Sequence, residues 1–165
     1  MKNVRFTLLL MAALVTTFAS AQTTAEQNKA NYLKVMEGLN TKSFAALEQH
    51  CTADFQDNFP PGFLEATGLK GLAASKAFLQ SMFTAFPDLK FDLKEVVAND
   101  KTVLAYIVMS GTMKGEFMGM EPTGKSFKLD TVDIMWFNAK GKAIQHLGVQ
   151  DMLDFFEQLG LMPGN

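Results

Sequence analysis

The spacing of apolar residues along the chain changes near residue 90, from a helical period to an alternating one. Before that point, apolar side chains three and four positions apart predict helices over about 24–40, 43–51 and 72–86. The stretch 54–62 contains two consecutive prolines, which exclude a regular helix. We expect that stretch to form a loop or a short edge strand.

Beyond residue 90, alternating or continuously apolar segments predict strands at 90–98, 102–110, 126–137 and 142–150. The connections between them are mostly short, which indicates an antiparallel sheet. The C-terminal segment returns to helical spacing over 152–159. Helices followed by a run of strands predict an α+β domain in which the helices cover one face of a curved sheet.

The N-terminus has the pattern of a secretory signal peptide. Lys2 and Arg5 precede an apolar run over 6–18 that ends in small residues up to Ala21. The run is shorter than the roughly 20 residues that a permanent membrane helix needs. We therefore predict a signal peptide at 1–21, a single domain over 22–165 with no stable membrane span, and a secreted or periplasmic location.

Charge and composition exclude several classes of function. The formal net charge is -2 and the 15 Lys and Arg residues are scattered, so no basic cluster is available to bind nucleic acid. Two His and one Cys show no metal-ligand spacing, and the glycines form no dinucleotide fingerprint, so no metal site and no cofactor are predicted. The lone thiol, Cys51, is interpreted as an unreactive semi-buried residue. The 15 Phe and 11 Met favour a large apolar interior.

One predicted strand carries an acidic residue on its apolar face. Alternation over 126–137 places Thr131 and Asp133 on the same side as Phe127, Leu129, Met135 and Phe137. A carboxylate in such surroundings must be hydrogen-bonded, neutral, or next to a cavity that admits water or ligand. Asp133 is therefore either a general acid or base or a structural carboxylate, and the sequence leaves both open.

His146 lies on the next predicted strand. Ile144, His146 and Gly148 share one side of it and Gln145, Leu147 and Val149 the other, so the pattern does not decide which side faces inward. If His146 faces inward, its ring is within reach of Asp133, because side chains on the same face of adjacent strands are neighbours. An Asp–His pair is suited to proton transfer.

Several motifs together resemble the SnoaL-like polyketide and ester cyclase family of the nuclear transport factor 2-like superfamily. They are Phe86-Pro87-Asp88-Leu89, the segment 111–119 with Gly-Thr-Met at its start, Pro122-Thr123-Gly124-Lys125, Val132-Asp133-Ile134, Gly141-Lys142 and His146. The resemblance implies a cone-shaped sheet covered on its concave face by N-terminal helices, a deep pocket, and often a dimer. It also implies cofactor-free aldol cyclisation in which a carboxylate deprotonates a polyketide ester. Asp133 and His146 correspond to an Asp and a His frequent in the family.

The chain departs from the family pattern at Met113, Gly148 and Asn58, where relatives carry His, Asp and His, and at Tyr106, where Arg is common. Each change makes the predicted pocket less charged. Our hypothesis is a small apolar or aromatic ligand, with Asp133 and His146 as acid-base residues; the candidate ligand-binding residues are Asn58, Tyr106, Met113, Phe117 and Met135. The alternative is a non-catalytic binding or scaffolding domain in which Asp133 is structural.

The opposite side of the strand 126–137 carries Val132, Ile134 and Trp136. An apolar stripe on the outer face of a sheet is suited to self-association. We therefore predict a homodimer.

Overall fold

A computed structural model of the chain describes residues 24–162; the predicted signal peptide lies outside the described residues. Within this range, no helix combines the length and the apolar character needed to cross a membrane. The elements in chain order are α1 Thr24–Asn40, α2 Ala45–His50, β1 Cys51–Gln56, α3 Phe63–Thr67, α4 Gly71–Ala85, β2 Lys90–Ala98, β3 Thr102–Thr112, β4 Ser126–Phe137, β5 Ala143–Gln150 and α5 Met152–Leu159.

The five strands form one sheet in the order β1-β5-β4-β3-β2. The four C-terminal strands are joined as antiparallel neighbours, which confirms the predicted hairpins. Asp133 pairs with Ala105 on one side and with Gly148 on the other, so it lies in the middle of the sheet. The α+β architecture with a curved sheet and covering helices is therefore confirmed.

The region around Cys51 differs from the prediction. The second helix ends at His50, and Cys51 begins β1, which pairs in parallel with β5 at the edge of the sheet. This pairing joins segments about 90 residues apart along the chain, so tertiary contacts override the local helical spacing. Burial raises the pKa of the Cys51 thiol to about 12, and the nearby Asp57 adds to the effect, consistent with an unreactive thiol. The short helix α3 was not predicted and has no buried residue.

Helices α1, α4 and α5 pack against different parts of the sheet. Helix α1 contacts β2 and β3, α4 contacts β1, and α5 contacts β4. Helix α5 is capped at its N-terminus by Asp151, whose carboxylate accepts hydrogen bonds from the backbone N–H groups of Leu153 and Asp154. The inner face of the sheet is apolar, and four rings, Phe86, Phe117, Phe127 and Phe155, make edge or tilted contacts with centroids 4.8–6.1 Å apart.

The glycine-rich connection after β3 turns tightly against α4. The N–H groups of Lys114 and Gly115 both donate to the carbonyl oxygen of Ala85. A Cβ atom at Gly115 would lie 2.6 Å from the carbonyl oxygen of Thr84, so only glycine allows this approach. The connection is therefore anchored to the end of α4, which brings Phe117 into the core.

Candidate functional site

The helices and the inner face of the sheet enclose a cavity of about 580 Å³. This volume lies within the range of about 300–1,000 Å³ that is typical of small-molecule sites. Most of the lining is apolar, and it includes seven phenylalanines and six methionines, the latter with flexible side chains. These residues are Phe55, Phe59, Phe78, Phe91, Phe117, Phe155, Phe156, Met36, Met82, Met109, Met118, Met135 and Met152.

Asp133 projects from β4 into this apolar lining. Its neighbours at alternate positions, Thr131 and Met135, also face the cavity, as the alternation along β4 predicts. Asp133 is only 6% exposed, and its Oδ2 atom accepts a hydrogen bond from the Tyr32 hydroxyl at 2.6 Å. Burial, together with the adjacent carboxylate, raises the pKa of Tyr32 above its ordinary value, so the hydroxyl keeps its proton and donates it.

The ring of His146 connects Asp133 to a second carboxylate, that of Asp57. Nδ1 lies 2.7 Å from Asp57 Oδ1, and Nε2 is hydrogen-bonded to Asp133 Oδ1. Burial of the ring opposes its protonation, but the carboxylates of Asp133 and Asp57 outweigh this effect and raise the pKa of His146 to about 10. At neutral pH the ring is therefore protonated, and each of its N–H groups donates to one carboxylate. The inward side of β5 is thus the one that carries His146 and Gly148.

Asp57 and Asn58 begin the loop that follows β1, and both are hydrogen-bonded to residues of β5. The backbone N–H of Gly148 donates to Asn58 Oδ1 at 3.0 Å, and Asn58 Nδ2 donates to the Gly148 carbonyl at 3.3 Å. The Asn58 amide is therefore used to fix the loop to β5. Beyond it, Phe59 stacks on Phe63 with centroids 5.1 Å apart and closes one side of the cavity.

The structure brings together five of the seven residues predicted for the site. Asp133, His146, Asn58, Phe117 and Met135 all line the same cavity. Their proposed roles in chemistry and binding stay predictions, since the geometry gives position only.

Two predicted lining residues lie elsewhere. Tyr106 projects from the other face of β3, is 40% exposed, and donates a hydrogen bond to Asp130 Oδ1 at 2.7 Å. Its neighbours Ala105 and Ile107 are both buried, so alternation turns Tyr106 outward. Met113 is fully buried, with its sulfur 3.8 Å from the Thr123 hydroxyl, and does not border the cavity.

Tyr32 and Asp57 belong to the hydrogen-bonded cluster but were not predicted as site residues. Tyr32 lies in the apolar stripe of α1 and is fully buried. A buried hydroxyl needs a hydrogen-bond partner, so a tyrosine within an apolar stripe is a sequence signal for a buried polar contact. No comparable signal marks Asp57, whose position depends on the parallel pairing of β1 with β5. Among residues 24–162, no group of three or more His, Cys, Asp or Glu side chains is arranged to hold a metal ion.

A curved five-stranded sheet with helices on its inner face, which together enclose an apolar cavity, is the nuclear transport factor 2-like α+β fold. The sequence profile of the SnoaL-like polyketide cyclases matches residues 30–159, and the chain belongs to that family. It is 27% identical to the aklanonic acid methyl ester cyclase AcmA of Streptomyces galilaeus, over 77% of this chain and 86% of AcmA.

Solved structures with the same fold include TsrD from Streptomyces laurentii, with a TM-score of 0.71 and 19% identity, covering 82% of this chain and 96% of TsrD. Another is a SnoaL-like polyketide cyclase from Agrobacterium tumefaciens C58, with a TM-score of 0.65 and 23% identity, covering 81% of this chain and 98% of the other. At these identities the likeness establishes the fold.

Proposed function

We propose that the chain binds a small apolar or aromatic ligand in the cavity and catalyses cofactor-independent proton transfer on it, as a cyclase-like or isomerase-like enzyme. The observation that carries the proposal is the carboxylate of Asp133, a residue that is 6% exposed in a mostly apolar lining. A base in such surroundings acts where bulk water is excluded. The similarity to AcmA, a methyl ester cyclase, supports a carbonyl compound as the ligand.

In the proposed reaction Asp133 removes a proton from a carbon next to a ligand carbonyl. The C–H bond breaks, an O–H bond forms on the carboxylate, and the electron pair moves to the carbonyl oxygen to give an enolate. In a cyclisation, the enolate carbon attacks a second carbonyl of the same ligand, and the new alkoxide takes the proton back from Asp133. Atoms and charges balance within the ligand and Asp133.

The neighbours of Asp133 fix its orientation and leave it able to react. Each carboxylate oxygen has two acceptor positions, and Tyr32 and His146 each occupy one of these four. The hydroxyl of Thr131, on the same face of β4, has no hydrogen-bond partner among the described residues. It is our candidate donor to the oxygen on which negative charge develops.

Replacing Asp133 with Asn tests the role of the carboxylate as base. Asn has nearly the same size and still accepts hydrogen bonds, but it does not take up a proton. The assay is deuterium exchange at the acidic carbon of a neutral aromatic β-keto ester, followed by NMR. General-base catalysis contributes about 10²–10⁴-fold, so we expect the catalysed exchange to fall at least about 100-fold. Exchange at the wild-type rate in a folded Asp133→Asn variant would exclude Asp133 as the base.

Ligand binding or scaffolding without chemistry is the second candidate. The observation that favours it is that both Asp133 oxygens already accept hydrogen bonds, from Tyr32 and His146, as in a purely structural cluster. In that case the wild-type protein does not accelerate exchange above the buffer rate, and Asp133→Asn chiefly lowers the melting temperature.

We further propose that the protein is exported after cleavage before Gln22. Lys2 and Arg5 ahead of the apolar run over 6–18 support this. Expression of the full chain in a Gram-negative host, fractionation, and N-terminal sequencing of the periplasmic protein check it. A chain that stays in the cytoplasm and still begins at its first residue would contradict export.

We also propose that the outer face of the sheet forms a homodimer. Leu104 pairs with Ile134, and Tyr106 with Val132, so apolar side chains from two strands lie side by side on this face. Leu104 is 41% exposed and Val132 37%, which leaves a continuous apolar surface. Sedimentation velocity at several concentrations should show a dimer that Val132→Glu dissociates. A wild-type monomer at all concentrations would refute it.

A further inference from the structure

Among the described residues, the charged groups of the cavity lining are two carboxylates and one imidazole, those of Asp57, Asp133 and His146. With the His146 ring protonated, two carboxylates and one imidazolium give a combined charge of -1. With the ring neutral, the combined charge is -2. No Lys or Arg side chain is among the described residues that line the cavity. The polar end of the cavity is therefore negative in either protonation state of His146.

The donors of this cluster are also fully used within it. The two ring N–H groups of His146 face Asp57 and Asp133, and the Tyr32 hydroxyl donates to Asp133. The cluster therefore has no unpaired cationic group that could bind a ligand carboxylate. The negative charge of such a ligand would be opposed by Asp57 and Asp133 in surroundings of low dielectric constant, where repulsion is strong.

The remaining polar groups of the lining are neutral. Ser75, which is 1% exposed, and Thr131 both carry hydroxyls without a hydrogen-bond partner among the described residues. Hydroxyl groups donate to or accept from ligand oxygens, but they carry no positive charge that would offset the repulsion of a ligand carboxylate by Asp57 and Asp133. The lining thus offers partners to a neutral carbonyl or hydroxyl group.

We propose that the cavity selects its ligand by charge: it takes up apolar molecules whose polar group is neutral or cationic and excludes those whose polar group is a carboxylate. This inference rests on the proposed binding of a small ligand and deepens it.

Three probes that share one apolar part test the selection. Phenylhexanol, phenylhexanoate and phenylhexylammonium are titrated separately into the purified mature protein at neutral pH, and their dissociation constants are measured by calorimetry. We expect phenylhexanoate to bind at least about tenfold more weakly than phenylhexanol, and phenylhexylammonium at least as tightly as phenylhexanol. Phenylhexanoate binding within about threefold of phenylhexanol would refute the charge selection while leaving ligand binding intact. If none of the three binds, ligand binding itself is refuted, and the selection with it.

A matched pair of variants at Gln150 tests the electrostatic cause. Gln150 lines the cavity and pairs across strands with Thr131, two residues from Asp133 on the same face. Gln150→Lys adds a positive charge and should reduce the discrimination against phenylhexanoate, whereas Gln150→Glu should increase it. The affinity for phenylhexanol in both variants monitors changes of shape or folding. Equal ratios of phenylhexanoate to phenylhexanol affinity in the two variants would overturn the electrostatic explanation.

Discussion

The two tyrosines of this chain provide a test of how much the buried cluster stabilises the fold. Tyr32 belongs to the cluster, and Tyr106 serves as the control. Tyr32 and Tyr106 each donate a hydrogen bond to an aspartate oxygen, at 2.6 Å and 2.7 Å. Tyr32 is fully buried, whereas Tyr106 is 40% exposed on the outer face. The substitution Tyr→Phe removes one hydroxyl in both cases, so burial is the main difference between the variants.

We expect Tyr32→Phe to destabilise the fold by about 1.5–3 kcal/mol, the range for a hydrogen bond to a charged group. The loss is large because Asp133 is only 6% exposed, so its oxygen gains little contact with water when the Tyr32 hydroxyl is removed. In the monomer, solvent replaces the lost hydrogen bond from Tyr106 to Asp130, so at protein concentrations below dimer formation Tyr106→Phe should leave the unfolding midpoint unchanged.

Urea unfolding of residues 22–165, followed by circular dichroism, measures both free energies of unfolding. The slope against urea concentration should be the same in wild type and variants, which shows that only stability has changed. A loss below about 0.5 kcal/mol for Tyr32→Phe would show that the buried hydrogen bond adds little net stability. Equal losses for the two variants would refute the reasoning from burial.

Two further predictions concern pH and packing. The pKa of His146 is raised to about 10 in the folded chain, above the ordinary value of 6.5, so its stabilising contribution should be complete below pH 6.5 and be lost as pH rises toward 10. Urea unfolding across this interval should show the decline in wild type and not in His146→Gln; a decline of equal size in both would assign it to other groups. Gly115→Ala should cost about 1–3 kcal/mol, because its Cβ would lie 2.6 Å from the Thr84 carbonyl oxygen. Gly148→Ala, whose Cβ would meet only side-chain atoms at 3.4 Å or more, should unfold like wild type, and equal losses would contradict the packing argument.

The parts of the fold that depend on local pattern were predictable from the sequence. The strict alternation of β4 predicts that Asp133 faces inward, and the structure places it there. Strand β3 is apolar on both faces, so the alternation of its residues does not show which face points inward. The resemblance to the family suggested that Tyr106 lines the cavity, whereas Tyr106 lies on the outer face. The position of Asp57 depends on β1 pairing in parallel with β5, a contact between distant segments that no local spacing encodes.

The cluster links four separate parts of the chain, because Tyr32 comes from α1, Asp133 from β4, His146 from β5 and Asp57 from the segment after β1. A substitution in the cluster therefore affects stability and any chemistry together, and a loss of activity alone does not identify the base. Comparison of two variants separates the effects: Tyr32→Phe weakens the cluster but keeps the carboxylate, whereas Asp133→Asn removes the carboxylate.

If Asp133 is the base, exchange of the β-keto ester should fall at least about 100-fold in Asp133→Asn and by a much smaller factor in Tyr32→Phe, even where the two variants lose similar stability. If Asp133 only supports the fold, the variant that loses more stability should also lose more exchange activity, in proportion. Measuring both variants well below their unfolding temperatures, with the folded fraction determined in the same samples, makes the two outcomes distinct. Proportional losses would reject the chemical role and retain the cluster as a structural support of the cavity.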